Sequence, residues 1–300
     1  MKIMVTGAGG FIGGHLATKL KDTEHTVYTT DQIGRGVGCD ISLDLSNYDQ
    51  MIDELPHDID LIYHIAAQTS GYIGLVNPAQ DIMSNTLATL NVCRFAKVTG
   101  VSKIIYTSSM AVYGNGDDLT ERSKIKPMSH YGISKYTGEM YCQQYEQFDI
   151  TNTIFRLFNV YGYGQDMKNL NQGMASIYLA QALKDNHIKV KGSFDRYRDF
   201  VYIDDVVNAL VMGLLPVTDN QTYNVATGIG TTVKELLDIV VDVVGTNTTY
   251  ENVGQYEGDQ DGTIGLYDKL QKDTNWAPTT DIKTGMNKFF VDLQDKKGVN

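Results

Sequence analysis

Three glycines, Gly7, Gly10 and Gly13, stand between a short β-rich run and a helical one, and they limit what the start of this chain can fold into. Lys2 to Thr6 has the character of a buried strand. Phe11, Ile12, Leu16 and Leu20 then recur at helical spacing, so the segment reads strand, glycine loop, helix. In that setting backbone amides and a helix N-terminus can approach a pyrophosphate with no Cβ in the way. Elsewhere in a chain the same triplet would be an ordinary turn; after a first strand it points to a dinucleotide, with Gly7, Gly10, Phe11, Ile12 and Gly13 as its contacts.

Asp31 closes the next strand-like run, 18 residues after Gly13. A carboxylate there accepts hydrogen bonds from ribose hydroxyls and repels a 2′-phosphate, which favours NAD. Arg35 lies close by and would instead suit NADP. Asp44 and Leu45 can flank an adenine, and His64-Ile-Ala66-Ala67 offers small residues against which a dinucleotide can lie. Asn85, at the head of a predicted helix, joins these cofactor candidates. His64 reads as packed and hydrogen-bonded, because nothing near it in sequence resembles a nucleophile or a metal ligand.

Strand-like runs continue at residues 25–30, 59–65, 103–107 and 151–158, separated by helical stretches that include 85–98 and 131–147. Such alternation predicts an α/β fold, a Rossmann-type doubly wound parallel sheet. Beyond Asn159 the pattern loosens into a Gly/Asn/Gln-rich stretch, a helix over 174–184, strands over 198–203 and 221–225, and a helix over 233–244. The expected division is a dinucleotide-binding domain over 1–160 with returning segments near 198–228. A smaller C-terminal α/β substrate domain takes 161–197 and 229–300.

The net charge of −11 disfavours nucleic acid as a partner, since a phosphate backbone needs a basic footprint. It leaves room for a phosphorylated small molecule held by one or two arginines. Cys39, Cys93 and Cys142 lie inside regular patterns without ligand spacing, so neither a disulfide framework nor a metal site is expected. No 18-residue apolar run occurs, and the chain enters its first strand at once, so a cytoplasmic protein free of the membrane is expected.

Tyr131 and Lys135 are four residues apart and share a helix face. Lowering a phenol from about 10 to neutrality takes about 4 kcal/mol. A unit charge at close range supplies that much at an effective dielectric near 20. Lys135, together with a positive nicotinamide ring, is therefore expected to ionise Tyr131. Ser109 ends a strand at the carboxyl edge of the sheet, where ligands bind in such folds, and can hydrogen-bond both a substrate hydroxyl and Tyr131.

With these strings in order, and with Arg156-Leu-Phe-Asn-Val-Tyr-Gly162, Arg198-Asp-Phe-Val-Tyr-Ile-Asp-Asp205 and Tyr223-Asn-Val-Ala-Thr-Gly228 behind them, nearly the whole chain resembles the extended short-chain dehydrogenases, and within them the UDP-glucose/UDP-galactose 4-epimerase-like enzymes. The resemblance implies Ser109, Tyr131 and Lys135 as the catalytic triad, a UDP-sugar as substrate, and a homodimer formed on the helices near 85–98 and 131–147. In related dehydratases an Asp-Glu pair follows the catalytic Ser/Thr, and related decarboxylases carry a Glu there. Met110 and Ala111 occupy those places here and cannot move a proton, which favours epimerisation. The resemblance also implies that Asn159 meets the substrate diphosphate. Asn171 and Gln172, ahead of a helix, suit the same anion, and Arg198 is the expected clamp, because its fork matches phosphate oxygens. The other readings are that Asn159 caps a turn and that Arg198 pairs with Asp199 or Asp204. The family's late arginine is missing from Gln255-Tyr-Glu-Gly-Asp259, leaving Asp259 as a substrate candidate and Arg196 as a substitute cation. Thr263 is small enough to admit an N-acetyl group at carbon 2.

Overall fold

The computed structural model describes residues 1–32, 34, 38–169, 173–245, 247–254 and 261–298. The chain opens with β1 (Lys2–Thr6), α1 (Phe11–Lys21), β2 (Thr26–Asp31), β3 (Ile41–Ser42), α2 (Tyr48–Glu54) and β4 (Leu61–His64). Two short helices, α3 (Gly71–Val76) and α4 (Pro78–Asp81), and a wide turn over Ile82–Leu87 lead into α5 (Ala88–Thr99). Then come β5 (Lys103–Ser109), β6 (Gly116–Leu119), α6 (His130–Gln144), β7 (Thr151–Leu157) and β8 (Asn159–Tyr161). The last part contains α7 (Met174–Asp185), β9 (His187–Val190), β10 (Tyr197–Tyr202), α8 (Ile203–Met212), β11 (Gln221–Val225), β12 (Gly230–Thr232), α9 (Val233–Val244), β13 (Thr249–Asn252), β14 (Gly262–Gly265), α10 (Asp268–Thr274) and α11 (Ile282–Gly298).

Seven parallel strands form the main sheet in the order β11-β7-β5-β4-β1-β2-β3. Strand alternation sends Ile3 and Val5 to one face, against Leu16, Leu20 and Leu210, and Met4 to the other, against Val92 and Phe95. Both faces are thus covered by helices, which is why β4 and β5 are continuously buried rather than alternating. The chain runs outward from β1 to β3 and returns to β4 beside β1. Neither connection crosses above that pair, so a crevice opens at the carboxyl ends of β1 and β4.

A second sheet, β12-β10-β14-β6, carries β8 alongside β10, and β13 pairs with β9. The segment expected to return to the large sheet therefore divides. β11 joins the large sheet, whereas β10 is the centre of the small one, held in parallel by β14 through Arg198 and Thr263 and in antiparallel by β12. β6, from the N-terminal half, also joins the small sheet. Leu179, Ile188, Leu236, Leu237 and Phe289 pack into the same apolar cluster as Ile3 and Tyr63, so both sheets share one core. No helix among the described residues is long and apolar enough to cross a membrane.

Candidate active site

The crevice is a groove of about 1180 Å³ whose floor is the glycine loop. Gly7 has φ +72°, and a Cβ on it would stand 2.7 Å from the backbone of Ala66; one on Gly13 would stand 2.1 Å from the Gly7 carbonyl. Glycine at both places is required for the loop to close on β4 and for α1 to start beneath it. Gly10 caps α1 without any side-chain hydrogen bond, so the first amides of the helix face the groove uncapped.

Gly7, Gly10, Phe11, Ile12, Gly13, Asp31, Asp44, Leu45, Ala66 and Ala67 all line the groove. The Asp31 carboxylate also accepts from the Gly9 amide at 2.9 Å and the Gln32 amide at 2.7 Å, tying the second strand to the glycine loop. Asp44 accepts from the Ser46 amide. Asn85 lies elsewhere: it is buried, its carboxamide bonds both backbone groups of Gln68 and the Ser134 hydroxyl, and it braces the wall without lining it. Arg35 lies outside the described residues, as do Asn171, Gln172, Tyr256, Glu257 and Asp259.

Lining residues that the sequence did not assign to the groove include Thr30, Gln68, Gln165, Asp166, Asp204 and Asn208. The last four come from the loop after β8 and from α8, which approach α1 where Tyr163 meets His15 edge-on at 4.7 Å. No local motif signals that approach. Thr30 did carry a signal, as the neighbour of Asp31; its hydroxyl is buried and has no partner among the described residues.

On the far side of β4, β5 delivers Ser109 to its carboxyl end, and the Ser109 hydroxyl accepts from the Ala111 amide at 3.2 Å. Helix α6 starts under a Ser129 cap and places Tyr131 in its first turn and Lys135 one turn later. A Cβ on Gly132 would lie 2.4 Å from the Ala111 carbonyl, so this glycine lets the helix reach the Ser109 turn. The structure brings Ser109 and Tyr131 together, and the serine hydroxyl draws the phenol down while burial pushes it up, to about 12. Lys135 is 2% exposed, lies 4.3 Å over the Tyr106 ring, and is pulled down to about 7 by burial.

The expected ionisation of Tyr131 calls on Lys135 and a nicotinamide ring together; within the chain alone, burial outweighs the lowering of the phenol by Ser109. Burial disfavours the charged form of both groups, and the ring beneath the ammonium is Tyr106, not Tyr131. One turn beyond Lys135, Glu139 takes a bidentate bond from Arg156 at 2.9 and 2.7 Å and a hydrogen bond from Ser108, and its charge opposes the loss of the lysine proton. A glutamate four residues after a candidate lysine was legible as a helix-face neighbour; its partner Arg156 was not. His64 is fully buried, hydrogen-bonded to Thr6 and Thr89, and pushed down to about 3 by burial, so it is a neutral packing group.

Asn159 donates to the Asp199 carbonyl at 3.0 Å and contacts the Met110 sulfur at 3.6 Å, close behind Ser109. Asp199 accepts from Thr227, Gly228 and Gly265, and Asp204 from the Tyr163 hydroxyl, so neither carboxylate is committed to Arg198. Arg198 is 7% exposed and donates to the Tyr197 carbonyl. Burial, with the like charge of Arg196, pulls it down to about 10, which leaves it cationic. Thr263 is fully buried with its hydroxyl toward the Gly114 carbonyl, so its size does not border open space.

A sequence profile described as the NAD dependent epimerase/dehydratase family matches residues 3–226. The chain is 33% identical over 300 residues to a putative UDP-glucose 4-epimerase of Methanocaldococcus jannaschii, covering 95% of this chain and 96% of that one. The chain belongs to the NAD-dependent epimerase/dehydratase family. Membership alone leaves the reaction open, because UDP-glucuronic acid decarboxylase 1 of Danio rerio is 27% identical over 96% of this chain and 71% of its own length. Among solved structures, the UDP-glucose 4-epimerase of Thermotoga maritima, determined with UDP-glucose, superposes with TM-score 0.91 at 28% identity, over 99% of this chain and all of that one. NAD is the family's cofactor, and the groove suits it: two glycines stand where a Cβ would collide, α1 presents uncapped amides, and a buried Thr30 hydroxyl has no partner among the described residues.

Proposed function

We propose that the chain is a 4-epimerase of a UDP-hexose, acting on the glucose/galactose pair or their N-acetyl forms. The observation that carries this reading is Ser109 beside Tyr131 with Met110 and Ala111 as the next residues, a site able to take a proton from a hydroxyl and with no acid following the serine to drive elimination or decarboxylation. Gly7, Gly10, Phe11, Ile12 and Gly13 would hold the cofactor's pyrophosphate, Asp31 its adenosine ribose, Asp44 and Leu45 its adenine, and Ala66 and Ala67 its flank. Bound NAD supplies a hydride acceptor that can return what it took.

Tyr131 takes the proton of the sugar's 4-hydroxyl and gives it back, and Ser109 holds that oxygen. Lys135 adds positive charge on the same helix face. Arg198, with Arg196 near it, offers the substrate diphosphate a paired cation, and Asn159 stands between that cation and the Ser109 turn. A 4-keto sugar formed here can rotate and be reduced on its other face. We also infer a homodimer built on α5 and α6, where Val98, Ile133 and Met140 are exposed; a monomeric mass by light scattering contradicts it.

The test is incubation of the NAD-loaded protein with UDP-galactose and with UDP-N-acetylgalactosamine, followed by proton NMR. The gluco epimer should appear without net NADH. Accumulation of NADH, a keto-deoxy sugar, or carbon dioxide from UDP-glucuronic acid refutes the assignment.

A further inference from the structure

Asp199 is fully buried in β10, and no step of the proposed reaction uses its charge. Side chains alternate along a strand, so it points to the face opposite its neighbour Arg198. One carboxylate oxygen accepts from the Thr227 amide at 2.9 Å and the Thr227 hydroxyl at 2.6 Å. The other accepts from the Gly228 amide at 3.0 Å and the Gly265 amide at 3.3 Å. Thr227 and Gly228 follow β11, the outermost strand of the large sheet, whereas Gly265 ends β14 of the small one. Backbone pairing joins β10 to β8, β12 and β14, and the carboxylate adds a tie to the large sheet. Both glycines are needed for this: Gly228 turns at φ +76°, and a Cβ on Gly265 would stand 2.2 Å from the Phe158 ring. The Asp199 carbonyl, in turn, takes the Asn159 carboxamide at 3.0 Å, and Asn159 touches the Met110 sulfur next to Ser109.

Resting on the reading of Arg198 as the clamp on the substrate diphosphate, we propose that Asp199 is the positioning residue of that clamp: its carboxylate pins β10 to the end of β11 and to β14, and so sets where the Arg198 fork stands relative to the Ser109 turn. A buried carboxylate is tolerated when its oxygens are hydrogen-bonded, and bonds to a charged acceptor are about twice as strong as neutral ones, so four donors from two sheets hold β10 firmly at this point. The Arg198 side chain starts one residue away and is itself almost fully buried, with one guanidinium nitrogen on the Tyr197 carbonyl. Its fork therefore follows the backbone of β10, and a fork that recognises phosphate by geometry loses its fit when that backbone shifts. On this account Asp199 governs substrate affinity through Arg198 and leaves the proton and hydride steps alone.

The test uses Asp199→Asn, whose amide oxygen can still accept from Thr227 but whose NH2 meets the Gly228 and Gly265 amides, and the milder Thr227→Val, which deletes the hydroxyl and keeps the side-chain shape. Thr227→Val also leaves the exposed Ile229 amide to water. With the NAD-loaded protein well below its melting temperature, KM for the UDP-sugar and the Kd of UDP by calorimetry should rise at least about 10-fold in Asp199→Asn and about 3-fold in Thr227→Val, with kcat and NAD affinity within about 2-fold of the parent. Thr227→Ser should restore both values, and in an Arg198→Ala background Thr227→Val should add almost nothing, as two changes acting through one group do. If Asp199→Asn does not fold, Thr227→Val decides. A lower melting temperature with KM and Kd unmoved, a fall in kcat instead, or a full additional effect in the Arg198→Ala background overturns the proposal and leaves Asp199 a structural link between the sheets. Binding of UDP needs no turnover, so a parent that binds UDP and epimerises nothing fails the epimerase reading alone, whereas a parent that binds no UDP overturns the clamp and its positioning together.

Discussion

Lys135→Met should make the cofactor-free protein more stable while disabling it. Lys135 is held at about 7 in the folded chain against an ordinary 10.5, so between those values the unfolded chain binds the extra proton. Stability from this group therefore rises with pH across that window and is least below it. A difference of that size costs the native state about 5 kcal/mol below pH 7 and about 2 kcal/mol at pH 9, at 1.36 kcal/mol per unit. The side chain's stack on Tyr106, lost in the variant, returns about 1–2 kcal/mol. Methionine fills a similar volume with no charge to desolvate. The net gain is about 3–4 kcal/mol at pH 6.5, shrinking toward zero by pH 9. Urea unfolding of both proteins without NAD at several pH values reads it directly as a difference in midpoint at equal slope. A variant less stable than the parent at pH 6.5, or a gap that does not narrow with pH, refutes the argument that burial dominates at Lys135.

Tyr131→Phe should lower kcat at least about 100-fold, the usual worth of a positioned acid–base group, while NAD still binds by fluorescence titration. Asp31→Ala should relax the preference for NAD over NADP and loosen the glycine loop, because the carboxylate also holds the Gly9 amide; unchanged relative affinities would place the selectivity elsewhere. Arg198→Ala should raise KM for a UDP-sugar about 10- to 100-fold with kcat little changed, as befits a charged hydrogen bond worth about 1.5–3 kcal/mol. An unaltered KM would move the diphosphate away from β10.

The large sheet was legible because its strands are short apolar runs between turn residues, and a parallel sheet buried on both faces requires just such runs. Lys2–Thr6 and Gln221–Val225 match the expected bounds, and most of the others fall within a residue or two. The small sheet was less so. β6 is Gly116–Leu119 and β14 Gly262–Gly265, glycine-bearing and polar, and what makes them strands is the partner each finds. Their pairing spans more than a hundred residues, which no local period encodes. For the same reason β10 read as a strand but not as a member of the right sheet.

At the site the sequence named side chains and left their electrostatics open. The spacing of Tyr131 and Lys135 dictates a shared helix face, and the helix obeys. It does not dictate that Gly132 and Gly138 admit the helix so close to the Ala111 carbonyl and the Tyr106 hydroxyl that both titratable groups lose their water. The close approach that sets Ser109 against Tyr131 is thus also what raises the phenol to about 12 and lowers the amine to about 7. A base for neutral pH needs the opposite at the phenol, and positive charge from a bound nicotinamide ring would act in that direction against the burial.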